Sequence, residues 1–157
     1  MFTKIGTISV GVTDQDKALD FYVNKLGFEK IDDQPMSETE RWLEVAPPGA
    51  QTHIMLGLRG QSGGDKTGFT GFVLHTDNIE ETCATLKARG VNISQELSTE
   101  PWGKWAQFTD PDGNEFGIWA PAWYICNATL HPKSTRQIER VPTCLTLRLM
   151  PQSISAF

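Results

Sequence analysis

Glu44, Glu115, His53 and His75 stand in short stretches where apolar and polar residues alternate, the pattern of half-buried β-strands. Successive side chains of a strand point to opposite faces. In Trp42-Leu-Glu-Val45 the aliphatic Leu43 and Val45 share one face, leaving Trp42 and Glu44 on the other. The same parity sets His53 and Met55 against Ile54 and Leu56, and Gly71, Val73 and His75 against Phe72 and Leu74. It also sets Trp105 and Gln107 against Ala106 and Phe108, and Glu115, Gly117 and Trp119 against Phe116 and Ile118. Near the start, Thr7, Ser9 and Gly11 oppose Ile8 and Val10. A carboxylate among tryptophans loses hydration, which favours its protonated form, so Glu44 and Glu115 are candidate proton donors or bases. Trp42, Trp105 and Trp119 offer flat walls to a planar ligand, each contact contributing about 0.5–1.5 kcal/mol beyond area burial. Thr7, Ser9 and Met55 complete a ligand-binding set in which His53, His75 and Gln107 orient the ligand by hydrogen bonds.

The elements that must position these residues occur twice. Asp14 and Asp77 open two helices, Gly27 and Gly90 close them, and Phe28 and Val91 follow, each pair 63 residues apart. The first helix carries Ala18, Leu19, Phe21, Tyr22 and Leu26 on its packed side; the second carries Ile79, Cys83 and Leu86. Between the halves, Gly60-Gln-Ser-Gly-Gly-Asp-Lys-Thr-Gly68 has no P-loop spacing and reads as a flexible connector.

With 157 residues, 39% hydrophobic and 21% charged, the chain has the bulk of one globular domain. Residues 1–120 hold 10 Lys/Arg against 18 Asp/Glu, a net −8, whereas residues 121–157 hold 4 against 1, a net +3. An acidic body repels a phosphate backbone, so nucleic acid is not expected as a partner. No apolar run reaches the roughly 18 residues of a membrane helix, and Met-Phe-Thr-Lys-Ile-Gly lacks a signal-peptide pattern, so a cytoplasmic protein is expected. Cys83, Cys126 and Cys144 support neither a disulfide framework nor a zinc knuckle, and neither Ser9 nor Cys126 has a motif-placed His to activate it.

Three segments, in order, resemble the glyoxalase/bleomycin-resistance/extradiol-dioxygenase (vicinal oxygen chelate, VOC) superfamily over residues 3–121. They are Val12 to Phe28, Phe72 to Glu81, and the Asp110-Pro-Asp-Gly-Asn114 turn with the strand after it. The resemblance implies an α+β fold of two βαβββ modules, about 3–58 and 69–121, forming a cupped mixed sheet with helices on the outer face. The linker is then 59–68. Residues 122–157 fall outside the resemblance and read as a disordered C-terminal extension, with a swapped arm around Cys144-Leu-Thr-Leu-Arg-Leu149 as the alternative.

In many members of that superfamily the cup holds a divalent metal. Carried over by position, the donors would be Thr7, Met55, Gly71 and Gly117, a set without the oxygen and imidazole donors that hard cations need. No metal or other cofactor is therefore expected. The resemblance then implies a small-molecule binding protein of the bleomycin-resistance type, taking an aromatic or planar metabolite or drug, with roles in antibiotic resistance or secondary metabolism. The alternative is a glyoxalase-like lyase, isomerase or dioxygenase, working through a metal displaced to His53 and Glu115 or through metal-free acid/base catalysis. The cup closes within one chain or across a homodimer; both arrangements suit two modules.

Overall fold

The computed structural model of the protein describes residues 1–121. The extension expected over 122–157, with Cys126 and Cys144, lies outside the described residues. The first module runs β1 (Thr7–Val12), α1 (Gln15–Asp20), a π-helical turn (Phe21–Lys25), β2 (Glu29–Pro35), β3 (Arg41–Ala46) and β4 (His53–Leu58). The second runs β5 (Gly68–His75), α2 (Ile79–Ala88), β6 (Asn92–Glu100), β7 (Gly103–Thr109) and β8 (Asn114–Pro121). Each module is a four-stranded mixed sheet, ordered β1-β4-β3-β2 and β5-β8-β7-β6. The first strand of each pairs in parallel with the last, and the helix and the two strands between them provide the crossover that parallel pairing requires. This is the expected α+β pair of βαβββ modules.

The parity read from the alternation holds. Val10, Val12, Leu43, Val45, Ile54 and Leu56 of the first sheet, and Ala106, Phe108, Phe116 and Ile118 of the second, are buried in one core with Phe21, Tyr22, Ile79, Cys83 and Leu86 of the helices. Each large aliphatic or aromatic side chain so buried contributes about 1.5–3 kcal/mol. Both sheets thus turn their helix-side faces to a common interior.

Helix boundaries depart from the expectation in two places. Asp14 caps α1, its carboxylate accepting from the amides of Asp16 and Lys17, whereas the cap of α2 is Asn78, one residue past the expected Asp77, accepting from Glu81 N–H. The asparagine is equally able to satisfy the free amides of a first turn. The closing glycine then stands 13 positions past the cap in the first helix and 12 in the second, with Gly27 and Gly90 both at positive φ. The extra residue is taken up by the π-helical turn, where Leu26 N–H reaches back to Phe21 C=O. The first helix is therefore not one continuous α-helix.

The modules are locked together by the Asp110–Asn114 turn. Asp110 accepts from the amides of Asp112 and Asn114, and from the Tyr22 hydroxyl at 2.9 Å. Asn114 Nδ2 donates to Gly11 C=O, Thr13 donates through N–H and Oγ1 to Asp112, and Arg59 donates to Asp112 C=O. Burial, with the Asp110 carboxylate beside it, pushes the Tyr22 hydroxyl pKa well above its ordinary value. The connector is docked rather than loose: Ser62 donates through Oγ and N–H to Glu40, and Gly63 and Gly64 press against Gly57 and Gly11 so closely that a Cβ on either strand glycine would strike their backbone. Glycine at 11 and 57 lets the segment lie on the sheet.

Candidate functional site

On the first sheet, Thr7, Ser9, Trp42, Glu44, His53 and Met55 lie on the face opposite the core. Parallel pairing sets Thr7 across from His53, and antiparallel pairing sets Glu44 across from Met55, leaving Glu44 diagonal to His53. The Thr7 hydroxyl donates to Glu44 Oε1 at 2.8 Å, and His53 Nδ1 lies 3.0 Å from Glu44 Oε2. The Glu44 side chain is 9% exposed and that of His53 27%. Glu44 thus sits in a hydrogen-bonded trio. Ser9 is turned outward, its hydroxyl donating to Ser62 C=O.

On the second sheet the corresponding face is aromatic. Trp105 and Trp119 are Cα partners across β7 and β8, and Gln107 is the partner of Gly117. The His75 ring meets Trp119 edge-on at 4.7 Å. Trp105 meets Phe69 at 6.3 Å and Trp102 at 5.8 Å, both edge-on, and its Nε1–H donates to Gln95 Oε1. The indole occupies the volume beside Gly117, where any Cβ would collide with it. Glu115, at the start of β8, accepts from the Thr70 hydroxyl through its backbone carbonyl, and its carboxylate has no hydrogen-bond partner among the described residues.

The two faces do not oppose each other in a single chain. The sheets share their helix-side faces, as the Tyr22 to Phe116 ring contact at 6.1 Å shows. Among the described residues no hydrogen bond or ring contact joins the Glu44 face to the Trp105 face. Phe69, Trp102 and Val73 are 52%, 53% and 40% exposed. Trp42 is thereby separated from Trp105 and Trp119, and His53 from Glu115. Among the described residues no three His, Cys, Asp or Glu side chains are grouped to hold a metal ion. Two open grooves of about 430 and 450 Å³ lie elsewhere, at the starts of α1 and α2, lined by Asp14, Asp16, Glu38 and Glu40 in one and by Asp77, Asn78 and Glu81 in the other.

The four positions that the resemblance assigns to metal donors have their own geometry. The Thr7 hydroxyl is engaged with Glu44, and Met55 is a buried thioether. Gly71 has φ +80° inside a register shift of β5 against β8, a conformation few L side chains adopt. Gly117 is covered by Trp105.

Several neighbours were missed from sequence. Asp32 pairs with Glu44 and Gln34 with Trp42, so both belong to the first face; the shift in register between Lys30 and Asp32 hides this from simple alternation. Phe69 carries the same odd-numbered parity as Val73 and His75, which would have found it. Trp102 and Gln95 came together with Trp105 only through the β6–β7 hairpin. No helix among the described residues is long and apolar enough to cross a membrane.

Residues 4–118 match the family described as Glyoxalase/Bleomycin resistance protein/Dioxygenase superfamily. The chain is 37% identical over 116 residues to the uncharacterized protein YetH of Bacillus subtilis, covering 74% of this chain and 97% of that one. A superfamily member from Sphaerobacter thermophilus has 41% identity and a TM-score of 0.70, over 75% of this chain and 97% of its own. TnmS3, an antibiotic binding protein from Streptomyces sp. CB03234, has 40% identity and a TM-score of 0.67, over 77% and 98%.

Proposed function

The chain belongs to the Glyoxalase/Bleomycin resistance protein/Dioxygenase superfamily, and we propose that it is a cytoplasmic small-molecule binding protein that takes a planar aromatic metabolite or drug without the superfamily's usual metal. The observation that carries this reading is the indole of Trp105 lying where a donor side chain at position 117 would stand. A thioether at 55, an engaged hydroxyl at 7 and glycines at 71 and 117 do not fit a hard divalent cation. The aromatic ledge of Phe69, Trp102, Trp105 and Trp119 offers stacking surface in its place. The description of TnmS3 as an antibiotic binding protein supports the same class of function.

The cup belongs, in this proposal, to a homodimer. Exposed apolar side chains on the Trp105 face call for a cover. A two-fold dimer that sets the Glu44 face of one copy against the Trp105 face of the other makes two identical cups. An enzymatic reading rests on Glu115, whose carboxylate is free of described partners; turnover lost in Glu115→Gln with binding retained would establish it.

The test is elemental analysis of protein purified without chelator from medium supplemented with divalent ions, followed by tryptophan-fluorescence titration with planar aromatic compounds. Trace metal and saturable quenching are expected. One ion per cup, or no quenching by any planar compound, overturns the reading.

A further inference from the structure

The trio on the first sheet carries a more specific conclusion about the ligand, one that rests on the binding reading above. Both oxygens of Glu44 are engaged, one by the Thr7 hydroxyl and the other by His53 Nδ1. No Lys or Arg is bonded to this carboxylate among the described residues, and its cross-strand neighbour Asp32 is another acid, occupied by the Asp33 amide and Gln34. A buried carboxylate with only these partners holds a proton on Nδ1 of the imidazole, because the hydrogen bond at one ring nitrogen decides the state of the other. The other nitrogen, Nε2, has no partner within the described protein and is not a buried atom.

We infer that Glu44 fixes His53 so that its Nε2 lone pair faces the cup and recognises an acidic hydroxyl, phenolic or enolic, on a planar ligand. His53 is then the recognition residue, and Glu44 and Thr7 are positioning residues. The proton balance closes in either form. A neutral imidazole accepts the hydroxyl hydrogen, or that proton passes to Nε2 and leaves an oxyanion against an imidazolium whose far side is neutralised by Glu44. A site built around this acceptor discriminates against an analogue that lacks the O–H, since the lone pair then goes unpaired on burial.

The experiment compares 2-naphthol with 2-methoxynaphthalene on the full-length protein by isothermal titration, together with ¹⁵N NMR of the histidine side chains. We expect 2-naphthol to bind at least about tenfold tighter than the ether, the size of one hydrogen bond to a charge-assisted acceptor. In His53→Phe the preference should vanish while the ether's affinity is kept. The NMR spectrum should show His53 protonated at Nδ1 when neutral, with Glu44→Gln moving it toward the Nε2–H form. That tautomer readout separates positioning from a purely structural role, and it stands even if His53→Phe does not fold. Equal binding of both probes, or a wild-type His53 protonated at Nε2 alone, overturns the proposal while leaving the aromatic-binding reading intact. Binding of neither probe overturns the proposal, and the aromatic-binding reading falls with it where no other planar compound quenches the tryptophan fluorescence.

Discussion

The indole of Trp105 lies beside the α-carbon of Gly117 so closely that a Cβ built there would collide with Cη2 and come 2.8 Å from Cζ2 and Cζ3. The two residues sit diagonally on neighbouring strands, since Gly117 pairs with Gln107 and Trp105 with Trp119. Absence of a side chain at 117 is therefore what admits the tryptophan.

Gly117→Ala should destabilise the protein by about 1–3 kcal/mol, the usual range for overpacking a filled site. In a Trp105→Ala background the same change should cost much less, because the colliding ring is gone. Urea denaturation of the four proteins in this cycle measures the coupling. A cost for Gly117→Ala that is the same in both backgrounds would show that backbone preference, not the indole, selects glycine.

Val73→Arg places a charge on the exposed face that the proposed dimer covers. The variant should sediment as a monomer with an unchanged circular dichroism spectrum. A wild-type protein that is already monomeric at micromolar concentration would remove the dimeric cup from the proposal.

Tyr22 should make the fold sensitive to alkali. Its folded pKa is raised by burial and by Asp110, so its contribution is complete below the unfolded value. As pH rises past about 10, the unfolded chain ionises first and stability falls. Between pH values of about 8 and 10.5 the wild type should lose more stability than Tyr22→Phe in parallel denaturation curves. At neutral pH, Tyr22→Phe should cost about 0.5–1.5 kcal/mol for the bond to Asp110.

The clasp between Ser62 and Glu40 should fail in acid. The Ser62 hydroxyl, then the amides of Leu58 and Ser62, hold the Glu40 pKa below its ordinary value. Stability from this group is present above the unfolded value of about 4.3 and is lost as pH falls through the lower folded one. Ser62→Ala should therefore cost about 1 kcal/mol at neutral pH, and the gap should narrow in acid. A gap independent of pH would mean that Ser62 acts through packing on Gly57 alone.

Much of this protein is legible in its residues because the signals are local. Alternation within strands separates Leu43 and Val45 from Glu44, and Phe116 and Ile118 from Gly117, whatever the strands pair with. The caps and closing glycines mark the helices to within a residue at Asp77 and Asn78, and the turn Asp110–Asn114 with two matching helix starts identifies the superfamily. What lay beyond the sequence depends on register and on packing between elements. Only the pairing of β1 and β3 with β4 brings Thr7, Glu44 and His53 into one trio, and only the bulged pairing of β2 with β3 sets Asp32 beside them. The docking of the 59–68 segment on Gly11 and Gly57, and the turning of the Glu44 face and the Trp105 face away from each other, were likewise decided by contacts between residues distant in the chain. Periodicity says which face a side chain takes; which faces meet is settled by the packing of whole sheets around a shared core, a choice that no local pattern encodes.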